Sequence, residues 1–333
     1  MSKHGKIQTA LEFAAARTLL TGFGLLPRPV AVAAGRGMGR IAYIVGGRLR
    51  RAGTRNLELA FPDMSPSERE RLLRGCFKNL GRLLGEFSHF PHATPEDLAK
   101  VVECEGLEHL EAAKASGRGT ILFTGHLGAW ELTSLALSAL GHRVDFLARR
   151  IDNDLIEEMV ERIRTQFGNR SIDKRAAARP MLRTLGTGGT LGILADLNTQ
   201  PHEGVFVDFF GIPASTTSSL ATVALRTDAT VLPIFAPWDN ERKRFMLRIE
   251  PPVTITKTDD QNEDVRNLTA KITAVIEKYV RRYPDQWLWI HKRWNTRPAG
   301  EPDLYDTRTP VQENSENTRR DSLSKAHPDS STL

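Results

Sequence analysis

One stretch of the chain gathers the ingredients of general-base catalysis. Gly125-His126-Leu127-Gly128-Ala129-Trp130-Glu131 sets a histidine five residues before a glutamate. A histidine takes up a proton near neutral pH. A carboxylate bonded to one imidazole nitrogen fixes the tautomer, stabilises the imidazolium and leaves the other nitrogen free as a base. The spacing by itself says little: with nine His and 40 Asp plus Glu in 333 residues, about one such match is expected by chance. A second match does occur, His92 to Asp97. Asp97, however, falls in the first turn of a helix opened by Thr94-Pro95, where a carboxylate serves the cap and the helix dipole.

Context separates the two. His126 follows the short apolar run Thr120–Thr124 and lies between Gly125 and Gly128, the pattern of a strand-to-helix turn. In a straight helix, residues five apart point about 140° away from each other. With His126 still on the turn and Glu131 in the first helical turn, the two side chains can converge, and the glycines admit a substrate headgroup. A buried histidine bonded to a nearby carboxylate purely for packing is the plainer alternative.

The elements that must hold this turn can be read from the patterning. Ser65-Pro66-Ser67-Glu68 has the form of a capping box with Pro at the first helical position. It opens a helix whose Leu72, Leu73, Cys76, Phe77, Leu80, Leu83, Leu84 and Phe87 recur at three- and four-residue spacing. Short buried runs at Thr120–Thr124, Val144–Ala148, Thr190–Ala195, Ala229–Phe235 and Phe245–Ile249 read as strands. Between and after them, Leu132–Leu140, Leu155–Phe167 and Glu263–Arg281 read as helices. This predicts an α/β fold: a mixed, mostly parallel sheet covered by helices, with a helical membrane-associating N-terminal region. The expected divisions are residues 1–63, basic and apolar; 64–298, catalytic, helical to 117 and sheet-bearing from 118; and 299–333, a polar disordered tail.

The N-terminal expectation rests on charge. Residues 1–63 hold ten Lys/Arg against three Asp/Glu, interleaved with apolar stretches such as Thr18–Pro27 and Ile41–Gly47. None approaches the ~20 apolar residues of a membrane span, and no signal-peptide pattern is evident. A segment lying in the interface, with Arg/Lys at anionic headgroups, fits the pattern; so do ordinary packing helices with solvated basic faces. Cys76 and Cys104 make no metal or redox motif. No G-x-S-x-G, P-loop, G-x-G-x-x-G or H-E-x-x-H occurs, which argues against serine hydrolases, nucleotide enzymes and zinc proteases. The basic residues are scattered among aliphatics rather than clustered with aromatics, which argues against nucleic acid.

Beyond the His126 block, several ordered motifs carry a resemblance. They are Arg55-Asn56-Leu57, Ala60-Phe61-Pro62, Arg149-Arg150-Ile151-Asp152-Asn153, Arg164-x-x-Phe167-Gly168, Asp196-Leu197-Asn198, Val205–Gly211 and Pro284–Trp294. From about Arg55 to Pro298 the chain resembles the lipid A biosynthesis (lauroyl/myristoyl) acyltransferases, within the glycerolipid acyltransferase superfamily. The resemblance implies an O-acyltransferase without a cofactor or metal, working at the cytoplasmic face of the inner membrane. It would move a fatty acyl chain from acyl-carrier protein, or acyl-coenzyme A, to a hydroxyl of a glycolipid. It makes His126 the base and Glu131 its orienting partner, with Arg149, Arg150, Arg164, Asp196 and Asn198 on substrate. Phosphatidylinositol mannosides and lysophospholipids stay open as acceptors. Asp196-Leu197-Asn198 and Ser218-Ser219 depart from the usual pattern at positions that bear on the acceptor. Trp287, Trp289 and Trp294, among His291, Lys292 and Arg293, are expected to form a wall near the lipid entrance.

Overall fold

The structure, a computed structural model, describes residues 5–306. Three helices come first: α1 (Lys6–Gly24), α2 (Arg28–Val45) and α3 (Gly47–Ala60). Helix α1 buries none of its residues. In α2, Ala31, Gly35, Gly39 and Tyr43 are buried, and four-residue spacing puts them on one face. That face lies along α4 (Pro66–Phe87). A Cβ added to Gly35 would stand 2.1 Å from the Gly81 carbonyl oxygen, and one added to Gly39 the same distance from that of Phe77. Two Gly-x-x-x-Gly pairs, 35/39 and 81/85, thus let the backbones nearly touch. Arg28 closes the pair with two hydrogen bonds to Glu86, 2.7 and 2.8 Å. The capping boxes form as expected: Ser65 with Glu68 opens α4, and Thr94 with Asp97 opens α5 (Pro95–Val101). The His92/Asp97 spacing is therefore a helix start.

The rest of the chain builds the sheet and its cover in the order β1 (Val102–Glu105), α6 (Leu107–Ala115), β2 (Thr120–Thr124), α7 (Trp130–Ala139), β3 (Asp145–Ala148), α8 (Asp154–Thr165), β4 (Arg170–Asp173), α9 (Ala178–Gly186), β5 (Thr190–Leu194), β6 (Gly204–Phe209), β7 (Ile212–Thr217), α10 (Ser219–Thr227), β8 (Thr230–Phe235), β9 (Trp238–Asp239), β10 (Arg244–Ile249) and α11 (Gln261–Arg282). The sheet runs β1-β10-β8-β2-β5-β3-β4, with β9 on β10, and β6–β7 form a separate hairpin. Strands β8, β2, β5, β3 and β4 are parallel; β10 lies antiparallel to β8, with β1 parallel to it. The α/β, mostly parallel expectation holds. All five strands read from the sequence are present. Strand β1 lies in the stretch expected to be helical, and it was missed because its four residues (VECE) bury only Val102.

The central strands are buried on both faces, as parallel strands covered by helices must be. In β2, Ile121 and Phe123 join the apolar layer shared with α3, α4 and α11, while Leu122 joins the layer under α5, α6 and α7. Trp287, Trp289 and Trp294 belong to the first layer, at 1%, 0% and 0% exposure. They are core, not an entrance wall. Their basic neighbour Arg293 is turned inward too, donating to the Ser215 carbonyl (2.8 Å) and the Thr216 hydroxyl (2.5 Å). Asn56 ties α3 to this segment through the Trp289 and His291 carbonyls, 2.5 and 2.6 Å. Leu304 accepts a bond from Arg55 (2.6 Å), and the Tyr305 hydroxyl meets Asn56. The ordered chain thus runs past the expected boundary at 298; positions 307–333 of the expected tail lie outside the described residues.

Candidate active site

In open α/β sheets a ligand site forms beyond the carboxyl ends of parallel strands, where successive connections diverge. Strand β2 sits at such a place: the chain goes from it toward β3 on one side, and later from β5 past it to β8 on the other. The turn after β2 is held by backbone on two sides. Gly128 N–H donates to the Gln286 carbonyl (3.0 Å), Ala129 N–H to that of Ala236 (2.8 Å), and Leu288 N–H to that of His126 (3.0 Å). Gly128 has φ +61°, and a Cβ there would stand 2.2 Å from the Ala236 carbonyl oxygen. Gly128→Ala is expected to cost about 3 kcal/mol or more, read as a fall in the denaturant midpoint at unchanged m-value.

The turn presents His126 to Asp196, two residues beyond the end of β5. His126 Nδ1 lies 2.8 Å from Asp196 Oδ1, while the His126 backbone N–H donates to Oδ2 at 2.7 Å. Trp287 Nε1–H also donates to Oδ2, at 2.8 Å. Asp196 is 2% exposed. Burial works against its charge, but the neighbouring His126 and these bonds prevail and hold its pKa below the ordinary carboxylate value. Because that carboxylate stays ionised, it accepts a hydrogen bond from Nδ1–H and leaves Nε2 as the free, basic nitrogen. Burial likewise opposes charge on the imidazole, yet the charge and bond of Asp196, with a smaller part from Glu131, raise His126 above its ordinary 6.5.

Glu131 is not the group bonded to His126. It sits in the first turn of α7 and faces α8, where Arg164 grips it with Nε (2.8 Å) and Nη2 (2.6 Å). A guanidinium fork matches a carboxylate better than an imidazole edge does. Asp196, expected on substrate, is sealed beneath the histidine and orients it instead. The expected pairing is corrected on both counts.

His126, Trp130, Glu131, Arg164, Asn198 and His291 all line one cavity of about 510 Å3. Its inner part runs between α7 and the sheet, past Leu122, Leu137, Val144, Phe146 and Gly192. The cavity is polar at the mouth and apolar at depth. Of the other expected site residues, Arg149 lines the mouth. Arg150 lies outside it, 3.5 Å from Asp154 on the surface. The Asn198 side chain is committed to Thr296, donating from Nδ2 at 3.0 Å and accepting at Oδ1 at 2.9 Å. Its backbone N–H donates to His291 Nε2 (3.2 Å). His291 was not singled out from the sequence; Asn198 and Pro284–Trp294 were both noted, but nothing in their spacing shows that they meet. Burial pushes the thiols of Cys76 and Cys104 up to about 12 and about 11, so neither supplies a thiolate at neutral pH. Among the described residues no group of three or more His, Cys, Asp and Glu is gathered to hold a metal ion.

A histidine held by a buried carboxylate at the head of an apolar slot suits acyl transfer, and comparison with known proteins agrees. The family of bacterial lipid A biosynthesis acyltransferases matches residues 4–296. The chain belongs to that family. It is 29% identical over 283 residues to the lipid A biosynthesis lauroyltransferase of Escherichia coli strain K12, covering 84% of this chain and 90% of that one. It is 28% identical to the palmitoleoyltransferase of the same strain, covering 88% and 97%. To a lipid A biosynthesis acyltransferase of Haemophilus influenzae it is 27% identical, covering 80% and 83%. The protein is an acyltransferase, and the residues around His126 are to be understood as parts of one.

Proposed function

We propose that the protein transfers a fatty acyl group from an acyl thioester to a hydroxyl of a phosphorylated glycolipid of the lipid A precursor type, with His126 as general base. The observation that carries this is the His126–Asp196 pair opening onto a slot that is polar at its mouth and apolar inside. The acyl chain lies in the slot between α7 and the sheet. The acceptor hydroxyl gives its proton to His126 Nε2 while its oxygen bonds to the thioester carbonyl carbon. The carbon–sulfur bond then breaks, and the departing sulfur takes the proton back from His126. Asp196 keeps Nδ1 protonated throughout. The Arg164–Glu131 pair walls the mouth, and Arg164 keeps Nη1 uncommitted for substrate oxygen. The high thiol pKa values favour direct transfer over an acyl-cysteine intermediate.

The same reading places the protein on the cytoplasmic face of the inner membrane. Ile7, Leu25, Ile41, Ile44 and Val45 on and beside α1 and α2 are exposed, among basic residues that suit anionic headgroups. No helix among the described residues is long and apolar enough to cross a membrane. Residues 1–63 are thus proposed as the membrane-facing segment and the remainder, with Leu304 and Tyr305 packed against it, as the catalytic body. Acyl-carrier protein is the proposed donor. The test is transfer of a labelled acyl group from acyl-carrier protein, and separately from acyl-coenzyme A, to a phosphorylated lipid A precursor. Labelled ester on the precursor is expected. A folded protein that acylates only a lysophospholipid would overturn the acceptor assignment.

A further inference from the structure

Beside the catalytic cavity lies a second groove that the mechanism leaves unused. It has a volume of about 670 Å3, within the range of small-molecule sites. Its walls come from the single turn Lys174–Ala176, α9 and α10, and it shares Leu147, Lys174, Thr217 and Ser219 with the cavity that holds His126. A ligand seated there therefore reaches toward the reacting groups.

The chemistry of the groove is two-sided. Lys174, Arg175, Arg179 and Arg226 line it, all four exposed. None of these side chains has an ion-pair or hydrogen-bond partner among the described residues, whereas Arg149, Arg162 and Arg242 elsewhere on the surface all have carboxylates. The groove's one carboxylate, Glu203, already accepts the Thr199 hydroxyl at 3.0 Å. Beneath the cations, Leu147, Met181, Leu182 and Val223 give an apolar floor. Four uncompensated cations over an apolar floor match an amphiphile that carries phosphate.

We infer that this groove binds a phosphate ester of the glycolipid acceptor, with part of one of its acyl chains on the floor, and so holds the acceptor beside the cavity of His126. The inference rests on the acyl-transfer reading and deepens it. Ser219, the first residue of α10, lies at this groove.

The test compares wild type with Arg179→Gln and with the triple change Arg175→Gln, Arg179→Gln, Arg226→Gln, all at exposed positions. Acceptors are a phosphorylated, acylated disaccharide and the same molecule with its phosphate removed. For the phosphorylated acceptor, KM is expected to rise about tenfold in the single variant and further in the triple, with kcat within about twofold. With the dephosphorylated acceptor the three proteins should agree. An unchanged KM, an equal rise for both acceptors, or a rise in the donor's KM instead would each overturn the assignment. Binding of the phosphorylated acceptor in neutral detergent micelles, measured without donor, reads the groove apart from catalysis: the triple variant should bind it more weakly. A wild type that binds but does not transfer would then count against the proposed function alone. Inorganic phosphate should displace the acceptor far less well than a second phosphorylated glycolipid does; equal displacement would point to a soluble phosphate ligand and overturn the amphiphile.

Discussion

His126→Ala is expected to lower kcat for acyl transfer by about 10²–10⁴-fold, with KM for either substrate changed little. The hydroxyl of a sugar is a weak nucleophile at neutral pH, and among the described residues lining the cavity no other histidine or carboxylate is free to activate it. Within the cavity, Glu131 is neutralised by a two-pronged bond to Arg164, and His291 Nε2 is occupied by the Asn198 backbone N–H. The His126 ring is not what holds the turn. Backbone bonds from Gly128, Ala129 and Leu288 do that, so the variant should fold, and its circular dichroism and melting should stay close to wild type. A single-turnover assay with labelled donor separates the loss of chemistry from any change in binding.

Asp196→Asn is expected to be as damaging, by about 10³–10⁴-fold in kcat, the size of effect seen when a histidine base is given the wrong tautomer. An asparagine is isosteric. Its oxygen can still accept the His126 backbone N–H and the Trp287 indole N–H, both of which now go to Oδ2. Its amide nitrogen must then face His126 Nδ1 as a donor. Nδ1 is forced to accept, Nε2 carries the proton, and the base is lost while two of the three bonds are kept and the third is reversed in direction. Nitrogen-15 NMR of the two proteins should show Nδ1–H in wild type and Nε2–H in the variant. Fast transfer by Asp196→Asn would show that the carboxylate has no part in orienting His126.

Much of this arrangement was legible in the chain, and the part that was not has a definite cause. The turn at 125–131 announced itself through a buried strand, two glycines and a histidine. The choice of partner did not, because inspection along the chain favours a neighbour. Glu131 lies five residues from His126, and Asp196 lies seventy. What joins them is strand register: Thr124 pairs with Leu194 in the parallel ladder, so the second residue past each strand end stands beside the other. That register is a long-range fact, set by how β2 and β5 pack between two helical layers. The tryptophans failed for a related reason. Trp287 and Arg293 read as an amphipathic rim, yet Trp287 finds Asp196 as its acceptor and Arg293 finds Ser215 and Thr216, so both can be buried. The Gly35/Gly39 and Gly81/Gly85 spacings were in plain view, but small residues four apart name a close contact without naming the facing helix.

The pH dependence of kcat/KM tests the central claim most directly. A base acts only when unprotonated, so activity should fall as pH drops through the pKa of His126. Burial alone would move that pKa down; Asp196 moves it above 6.5. The account predicts a single-proton acid limb centred above pH 6.5 in the wild type. Activity that stays level from pH 8 down to pH 5, or that falls only at the pH where a carboxylate titrates, would contradict it.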